Sequence, residues 1–594
     1  MTSHGTTAAD PTDGTTAGPD APWWRSAVVY QVYPRSFADG DGDGVGDLRG
    51  LIGRLDHLHL LGVDVVWLSP IYPSPQDDNG YDISDYDDVD PLFGSLADLD
   101  ELVAGLHGRG MRLVMDLVVN HTSDEHPWFV SSRSGTTSPQ RDWYWWRPAR
   151  PGHVGGEPGA EPTNWQSFFS GPAWQWDEAS GEYYLHLFSR KQPDLNWENP
   201  EVRAEVHAMM RRWVDRGVDG FRMDVINLVS KHVAADGSLP DGALAPGSEL
   251  GDGSAFYANG PRLHEYLHEM HVAVLAGQDL MTVGEMPGVT LEEARLTSDP
   301  ARQELDMVFT FEHMGLDQVS GGTKWDLAPL HLPDLTASLH AWQEGLARTG
   351  WNSLYWGNHD QPRIVSRWGD DGEHRVTSAK TLASVLLLLR GTPYVYQGEE
   401  LAMTNAHLTS LNGYRDIESL NWAREATTRG VPEADVLRSL AAKSRDNART
   451  PVQWHAGPNA GFTTGTPWLA VNPNHVTINA AAAVADPDSV FHHYRRLIAL
   501  RHGTPVVVEG DHRPLLPGDK QVVAYVRTLG RASLLLLANL SGEPATVDLG
   551  PDASLLHGEV VLATHDRPAG LAVEEAVVLG PWESFAVLTP EGHS

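Results

Sequence analysis

The 594-residue sequence contains no cysteine. Disulfide bonds, a thiolate nucleophile and a cysteine-liganded zinc site are therefore excluded. Basic residues are also scarce, because 43 Lys and Arg stand against 79 Asp and Glu, for a formal net charge of −36. Such an acidic chain cannot neutralise a run of phosphates, which argues against nucleic acid and against an anionic membrane surface as partners.

Long apolar runs and a signal peptide are missing too. The most apolar run, Leu382–Leu389, ends at Arg390 and is far too short to cross a bilayer. Residues 1–22 are rich in Thr, Gly, Ala and Asp and lack a basic segment followed by an apolar run, which predicts a disordered leader. We therefore expect a cytoplasmic protein with no membrane segment, either a monomer or a weak homo-oligomer.

Eight short apolar segments alternate with helical patterns. Near-continuous apolar strands indicate a parallel sheet buried on both faces, and the Gly-rich phosphate fingerprint of doubly wound sheets is missing. The pattern favours an α/β fold, a (β/α)8 TIM barrel. The predicted strands are Val28–Tyr33, Val63–Leu68, Arg112–Val118, Val218–Asp224, Met281–Glu285, Leu305–Phe311, Ser353–Trp356 and Pro393–Tyr396, and one helix is predicted over Leu48–Leu61.

Two long connections and a different C-terminal pattern divide the chain further. Residues 122–199 lie between the third and fourth strands, are rich in Trp, Pro and Gly, and predict an inserted domain B. Another insertion, 398–466, follows the eighth strand. The barrel then takes residues 23–121 and 200–510. Short strands separated by Gly/Pro turns predict a C-terminal antiparallel β-sandwich domain over 511–594.

Polar side chains follow the predicted strands at the end where a barrel carries its active site. Three of them are carboxylates, Asp224, Glu285 and Asp360. Two carboxyls with different pKa values perform glycoside hydrolysis, one attacking the sugar and the other protonating the leaving oxygen. The alternative is a divalent-metal site. Arg222 disfavours a metal there, because it shares a strand face with Asp224 and its positive charge opposes a cation. We expect the same guanidinium to lower the pKa of Asp224.

Several motifs resemble the α-amylase superfamily, glycoside hydrolase family 13, in order and spacing. They are Asp116–His121, Gly220–Asp224, Val283–Glu285, Asn358–Asp360 and Gln192–Asn196. Longer strings are similar to those of its oligo-1,6-glucosidase/α-glucosidase group: Asn79–Ser84, Tyr414–Glu418 and Arg445–Pro451. The resemblance extends from about residue 23 to the C-terminus and implies hydrolysis of a small neutral oligosaccharide.

The resemblance also implies residue roles. Asp224 is expected to be the nucleophile, Glu285 the general acid/base, and Asp360 the carboxylate that grips the distorted sugar. His121, Arg222 and His359 would bind glucose or orient the carboxylates. Asp82, paired with either Arg445 or Arg449, would close the far end of the pocket and make the enzyme exo-acting. Asp82, Arg445 and Arg449 complete the expected set of substrate-binding residues.

Val225, directly after the expected nucleophile, bears on linkage. In the resembling group a valine there accompanies α-1,6 substrates such as isomaltose, so a retaining α-glucosidase for terminal α-1,6-linked glucose is expected. The alternatives are an α-1,4-glucosidase (maltase/sucrase) and a sucrose isomerase-type transglucosidase. Sucrose isomerases carry an arginine-rich loop after the sixth strand, where this chain has Gly315–Gln318 without arginine. A catalytically inactive binding subunit is a further alternative, which the three carboxylates disfavour.

Asp39–Asp47 alternates carboxylates with glycines. Asp39, Asp41, Asp43, Asp47 and the Val45 carbonyl could converge on a hard cation, although Gly50 replaces the twelfth-position glutamate of an EF-hand. Similar loops in the resembling group hold a structural Ca²⁺, or Mg²⁺, so a stabilising ion is expected here and no cofactor for catalysis. The alternative is an acidic, solvated turn.

His264–His268 reads H-E-x-x-H, the zinc motif of metalloproteases. Leu263 and Leu267 give the same segment the pattern of an amphipathic helix, and similar sequences in the resembling group carry no metal there. We therefore favour an exposed helix face.

Overall fold

The structure, a computed structural model, describes residues 21–244, 248–565, 567 and 576–590. Its largest sheet has eight strands, and every hydrogen-bonded pair of them is parallel. The strands are β1 (Val29–Val32), β2 (Val65–Leu68), β3 (Arg112–Val118), β4 (Gly220–Asp224), β5 (Met281–Glu285), β6 (Met307–Phe309), β7 (Ser353–Tyr355) and β8 (Thr392–Tyr396). Residues 1–20 of the predicted leader lie outside the described residues.

The eight strands form a ring. Their order in the sheet is β6-β5-β4-β3-β2-β1-β8-β7, and a parallel bridge between Val308 and Asn352 brings β6 to β7. Each predicted strand overlaps an observed one, and the predicted (β/α)8 barrel is confirmed. The main barrel helices are Leu48–Ile52, Leu55–Leu61, Leu96–His107, Pro200–Asp215, Leu263–Met270, Leu291–Thr297, Leu332–Gly345, Arg375–Leu387 and Val490–Gly503.

The predicted helix Leu48–Leu61 is in fact two helices. The first ends at Ile52, with Gly53 as its C-terminal cap, and the second begins at Leu55. Glycine costs about 1 kcal/mol in a helix interior, which makes Gly53 a favourable place for the break.

Residues 122–199 contain a small sheet, and aromatic side chains such as Phe129 and Trp146 pack into the same core as the barrel. This three-stranded antiparallel sheet has Glu182–Leu185 between Trp146–Arg147 and Trp174–Asp177. A helix, Pro127–Arg133, precedes the sheet. The insertion after β8 contains the helices Ile417–Thr428, Glu433–Lys443 and Asp446–Arg449.

The described residues of the C-terminal region form two antiparallel sheets around a shared apolar core; residues 566, 568–575 and 591–594 of the predicted domain lie outside the described residues. The larger one has five strands, in the order β9 (Asp511–Leu515), β10 (Val522–Leu529), β11 (Ala532–Asn539), β15 (Ser584–Thr589) and β13 (Glu559–Ala563). The smaller one pairs β12 (Ala545–Val547) with β14 (Val577–Leu579). The Tyr525 hydroxyl donates to the Val385 carbonyl (2.9 Å) and fixes this region against a barrel helix.

No helix within the described ranges combines the length and the apolar character that a bilayer crossing requires.

Candidate active site

The centre of the site is one buried guanidinium, that of Arg222 on β4. Its Nη1 lies 2.6 Å from a carboxylate oxygen of Asp116 and 2.6 Å from one of Asp224, and its Nη2 lies 2.6 Å from Glu285. Strand pairing produces this arrangement, because Arg222 lies opposite Asp116 of β3 and opposite Val283 of β5. Neighbouring strands therefore deliver three carboxyl groups and one cation to the same end of the barrel.

Asp116 is missing from the predicted site residues, although it opens the motif Asp116–His121. Its second carboxylate oxygen accepts hydrogen bonds from Trp67 Nε1 and the Tyr81 hydroxyl, both at 3.0 Å. Asp116 is the one acidic residue of β3, and beyond Arg112 at the start of the strand its other residues are apolar. Because an aspartate is rarely buried without a partner, that isolated charge was the available signal.

Burial dominates the titration of these carboxyls. It raises the pKa of Glu285 to about 8 and the pKa of Asp224 to about 6, while Arg222 opposes both rises. The expected lowering of the Asp224 pKa by Arg222 is present, but desolvation outweighs it and Asp116 adds a second negative charge, so the net shift is upwards. At neutral pH Asp224 is ionised while Glu285 keeps its proton.

Asp360, beyond β7, has the opposite surroundings. Its Oδ1 lies 2.8 Å from Arg449 Nη2 and 3.2 Å from Arg445 Nη1, and its Oδ2 lies 3.2 Å from His359 Nε2. Burial alone would raise the pKa of Asp360, but His359 and the two guanidiniums hold it well below its usual range. Asp360 is therefore a permanent anion, and its side chain is 28% exposed against 9% for Asp224.

The two predicted histidines are neutral hydrogen-bonding groups. Burial lowers the pKa of His359 to about 3 and that of His121 to about 4. Gln31 Nε2 lies 2.8 Å from His359 Nδ1. Because an amide nitrogen only donates, Nδ1 accepts, and the Nε2 proton points to Asp360. The Tyr81 ring stacks on His359 with centroids 5.0 Å apart, and the Tyr81 carbonyl lies 3.2 Å from His121 Nε2.

The predicted ion pair between Asp82 and Arg445 or Arg449 is wrong. The buried Asp82 carboxylate instead accepts hydrogen bonds from the Ser74 hydroxyl and from two backbone N–H groups of its own loop. The acid that pairs with Arg445 is Asp78, four residues earlier, with Nη2 3.0 Å from Oδ1. The spacing of two acids in one loop does not reveal which of them turns towards the site.

A second acid holds Arg445 from the insertion after β8. Asp416 is fully buried, and its Oδ1 lies 2.5 Å from Arg445 Nη2. Arg445 therefore connects four carboxylates across one wall of the site: Asp78, Asp360, Asp416 and Glu418, the last with Oε2 3.5 Å from Nε.

A buried ion pair fixes the inserted domain to the barrel rim. Lys231 Nζ, after β4, lies 2.9 Å from Asp194 Oδ2, and both side chains are fully buried. Asn120 Nδ2 also donates to Asp194 (3.2 Å), and His121 forms a backbone bridge with Asp194. The inserted domain thus positions the end of β3. Neither Lys231 nor Asp194 is among the predicted site residues.

Val225 has a left-handed backbone conformation, φ 36° and ψ 42°. This conformation is rare for a β-branched residue. It aims the Val225 N–H at Glu285 Oε2, 3.2 Å away, and turns the side chain into the aromatic core of the inserted domain. The residue after Asp224 is therefore tied both to the acid/base candidate and to the neighbouring domain.

The predicted acidic loop brings three carboxylates together. Asp39, Asp41 and Asp43 each place an oxygen within 4.8 Å of the others. Asp47 has a different contact: it caps the helix Leu48–Ile52 by accepting the Gly50 N–H (2.7 Å). The loop packs tightly, since a Cβ on Gly44 (φ 103°) would lie 1.9 Å from a backbone oxygen of the insertion after β8.

The H-E-x-x-H histidines are bonded to neighbouring groups. His264 lies 2.7 Å from Glu304 and 3.3 Å from Glu293, and His268 Nδ1 lies 3.1 Å from the Arg302 carbonyl. These contacts are those of a helix surface packed against the segment before β6.

The fold and the motifs agree with comparisons to known proteins. A family model described as the alpha-amylase catalytic domain matches residues 31–510. The chain belongs to the α-amylase family. It is 53% identical over 563 residues to an oligo-1,6-glucosidase of Parageobacillus thermoglucosidasius, covering 95% of this chain and 98% of that protein. The prediction of a glycoside hydrolase is confirmed.

Solved structures of other α-amylase family proteins match as well. A Bacillus licheniformis trehalose-6-phosphate hydrolase has a TM-score of 0.88 at 46% identity, covering 96% of this chain and 100% of that one. A trehalulose synthase from Pseudomonas mesoacidophila MX-45 has a TM-score of 0.88 at 42% identity, with the same coverage. Relatives on this one scaffold thus carry different names, and the residues around the pocket must distinguish them.

Proposed function

We propose that the protein is a retaining, exo-acting α-glucosidase that hydrolyses terminal non-reducing α-1,6-linked glucose in isomaltose and short isomalto-oligosaccharides. The observation that carries this proposal is the Arg222 cluster, which places Asp224 and Glu285 on one cation with separated pKa values. The similarity to an oligo-1,6-glucosidase supports the linkage. Val225 supports it too, through the valine that accompanies α-1,6 substrates in that group.

The reaction has two steps. The ionised Asp224 attacks the anomeric carbon, while Glu285 donates its proton to the departing glycosidic oxygen, giving a covalent glycosyl-enzyme. Glu285, now a base, removes a proton from water as that water attacks the same carbon and releases Asp224. Asp360, an anion throughout, stabilises the positive charge that develops on the sugar ring. The neutral His359 directs its Nε2 proton to Asp360 and so orients that carboxylate.

The exo action follows from Arg445. Its ion pairs with Asp78 and Asp360 join the loop after β2 to the loop after β7. This wall closes the pocket beyond the glucose to be cleaved, so that one sugar unit enters and the rest of the chain extends outwards.

The test compares initial rates on isomaltose, panose, maltose, sucrose and trehalose, with the anomer of the released glucose followed by NMR. We expect the highest kcat/KM on the α-1,6 substrates and α-glucose as the first product. Asp224→Asn should lower kcat by about 10⁴-fold or more, because an amide cannot form the covalent intermediate. A first product of β-glucose, or preferential cleavage of maltose, would overturn the mechanism or the linkage respectively.

We also propose that Asp39, Asp41 and Asp43 hold a structural divalent cation, with Ca²⁺ or Mg²⁺ as the candidates. The fit rests on the donor set: three carboxylate oxygens lie within 4.8 Å of one another, and oxygen atoms are the ligands that Ca²⁺ and Mg²⁺ take. The Val45 carbonyl and Asp47 are the remaining predicted ligands. A chelator should lower the melting temperature by a few degrees and leave kcat unchanged. Asp41→Asn/Asp43→Asn should abolish that difference.

The predictions of a cytoplasmic protein and of a monomer or weak homo-oligomer accompany this proposal. Cell fractionation tests the first, and light scattering during gel filtration tests the second.

A further inference from the structure

Phe168, in the inserted domain, is a large apolar side chain that stays 43% exposed beside the site. Aromatic rings connect it to the pocket. The Phe188 ring centroid lies 5.1 Å from that of His121, and the Phe168 ring stacks on Phe188 at 5.0 Å with an interplanar angle of 18°. Phe168 is therefore one ring further from His121 than Phe188 is, towards solvent.

This exposed ring is held in place. The Phe168 N–H donates to the Leu187 carbonyl (2.8 Å), and the Ser167 hydroxyl donates to the Phe188 carbonyl (2.7 Å). Tyr257 packs its ring edge against Phe168 at 5.8 Å. Because the ring is already ordered by these contacts, a ligand that packs on it loses little side-chain entropy on binding.

The next residue places this segment at the pocket rim. The Phe169 ring centroid lies 5.0 Å from the guanidinium carbon of Arg445, whose ion pairs close the pocket. The Phe169 carbonyl accepts a hydrogen bond from Asn421 (3.0 Å) in the insertion after β8. The Phe168 segment thus lies where the inserted domain and that insertion meet, on the side open to solvent.

We propose that Phe168 is a specificity-determining residue that stacks against the glucose units on the leaving-group side of the cleaved bond. This inference rests on the proposed function, in which one glucose fills the closed pocket and the remaining chain extends outwards. The C–H face of a glucose ring is apolar and packs on an aromatic face, and a neutral sugar needs no charged partner at the ring. Phe168 would then increase the preference for oligosaccharides over glucosides with a small leaving group.

Phe168→Ala separates this role from general damage when α-glucosyl fluoride is compared with isomaltose and isomaltotriose. Fluoride is too small to reach Phe168, so kcat/KM on the fluoride should stay within about twofold of wild type. On the two oligosaccharides kcat/KM should fall about 3- to 10-fold, the range expected for one aromatic packing contact. Phe168→Trp should restore it.

Matched variants keep the test decisive. Phe168→Leu preserves apolar bulk without a flat face and replaces the alanine variant if that one fails to fold. Val272→Ala, at a valine that is 61% exposed in the π-helical turn His271–Leu275 after the barrel helix Leu263–Met270, should leave kcat/KM on all three substrates unchanged. Equal losses on fluoride and oligosaccharides, or unchanged kcat/KM on oligosaccharides, would overturn the inference.

Failure of the proposed function would be visible separately. If the wild-type protein cleaves maltose and maltotriose instead of the α-1,6 series, the same ratio to the fluoride is measured with those substrates. If Phe168→Ala loses kcat/KM on maltose and maltotriose but not on the fluoride, the role of Phe168 is upheld while the proposed linkage fails.

Discussion

Around Arg222 three carboxyl groups share one guanidinium, whereas around Asp360 a single carboxylate contacts two guanidiniums and a histidine. Both regions lie on the same barrel rim and both are largely buried. Burial raises the carboxyl pKa values where cations are scarce, and the cations overcome burial where they are plentiful. The number of cations that each carboxyl group contacts, and not burial alone, therefore decides which acid holds a proton at neutral pH.

The largest effect on this contrast should come from Arg222→Met, which removes the cation that the three carboxyls share. Breaking a buried ion pair costs about 3–5 kcal/mol, which corresponds to about 10²- to 10⁴-fold in kcat/KM if the loss falls on the transition state. The acidic limb of the pH profile should also move to higher pH, because Asp224 loses the group that opposes its pKa rise.

Arg501→Met is the matched control for that variant. Arg501 is also fully buried, but it donates to the carbonyls of Leu387 and Leu389 instead of contacting the site. We expect lower thermal stability with an unchanged pH profile. An Arg222→Met protein with wild-type pH dependence would contradict the assignment of Arg222 as the shared cation.

A smaller effect is expected from Arg445→Met, since Arg449 stays 2.8 Å from Asp360. The loss of the hydrogen bond to Asp360, about 1.5–3 kcal/mol, should lower kcat/KM about 10- to 150-fold. Asp78 and Asp416 lose an ion-pair partner as well, which should lower the stability of the fold. Asp360 should remain ionised, so the pH profile should keep its shape. The variant also opens the wall at Asp78, and release of isomaltose from longer chains would reveal a partial loss of exo action. Unchanged kinetics would show that Arg449 alone suffices.

The smallest expected change is in the shape of the pH profile of kcat/KM, and it distinguishes Asp224 from Glu285. In the wild-type protein kcat/KM should rise as pH passes about 6, where Asp224 ionises, and fall as pH passes about 8, where Glu285 loses its proton. Glu285→Gln, assayed on an aryl α-glucoside with a good leaving group, should lose the alkaline limb and keep the acidic one. Retention of the alkaline limb in Glu285→Gln would assign it to another group.

The barrel could be predicted from sequence because each of its strands is a short apolar segment in a regular alternation with helices. Asp224, Glu285 and Asp360 follow such strands, which fixes the end of the barrel they occupy. Two C-terminal strands were not predictable by the same means. Asp511–Leu515 contains a proline and alternates in exposure at the sheet edge, and Val577–Leu579 lies outside the larger sheet and pairs only with Ala545–Val547 among the described residues.

The parts of the site that sequence could not supply depend on three-dimensional orientation. Asp78 and Asp82 lie in one loop, and only the folded loop shows that Asp78 turns to Arg445 while Asp82 binds its own backbone. The upward pKa shift of Asp224 was equally hidden, since adjacency to Arg222 is visible in sequence but the extent of desolvation is not. Lys231 and Asp194 are 37 residues apart, and their contact exists only after the inserted domain has docked.

The left-handed backbone at Val225 has a consequence for engineering this enzyme. Holding a β-branched residue at φ 36° costs on the order of 1–3 kcal/mol, which Asn at the same position would partly recover. Directed evolution that selects for thermal stability alone should therefore replace Val225. Selection for turnover should retain the residue, since the same backbone turn aims an N–H at Glu285.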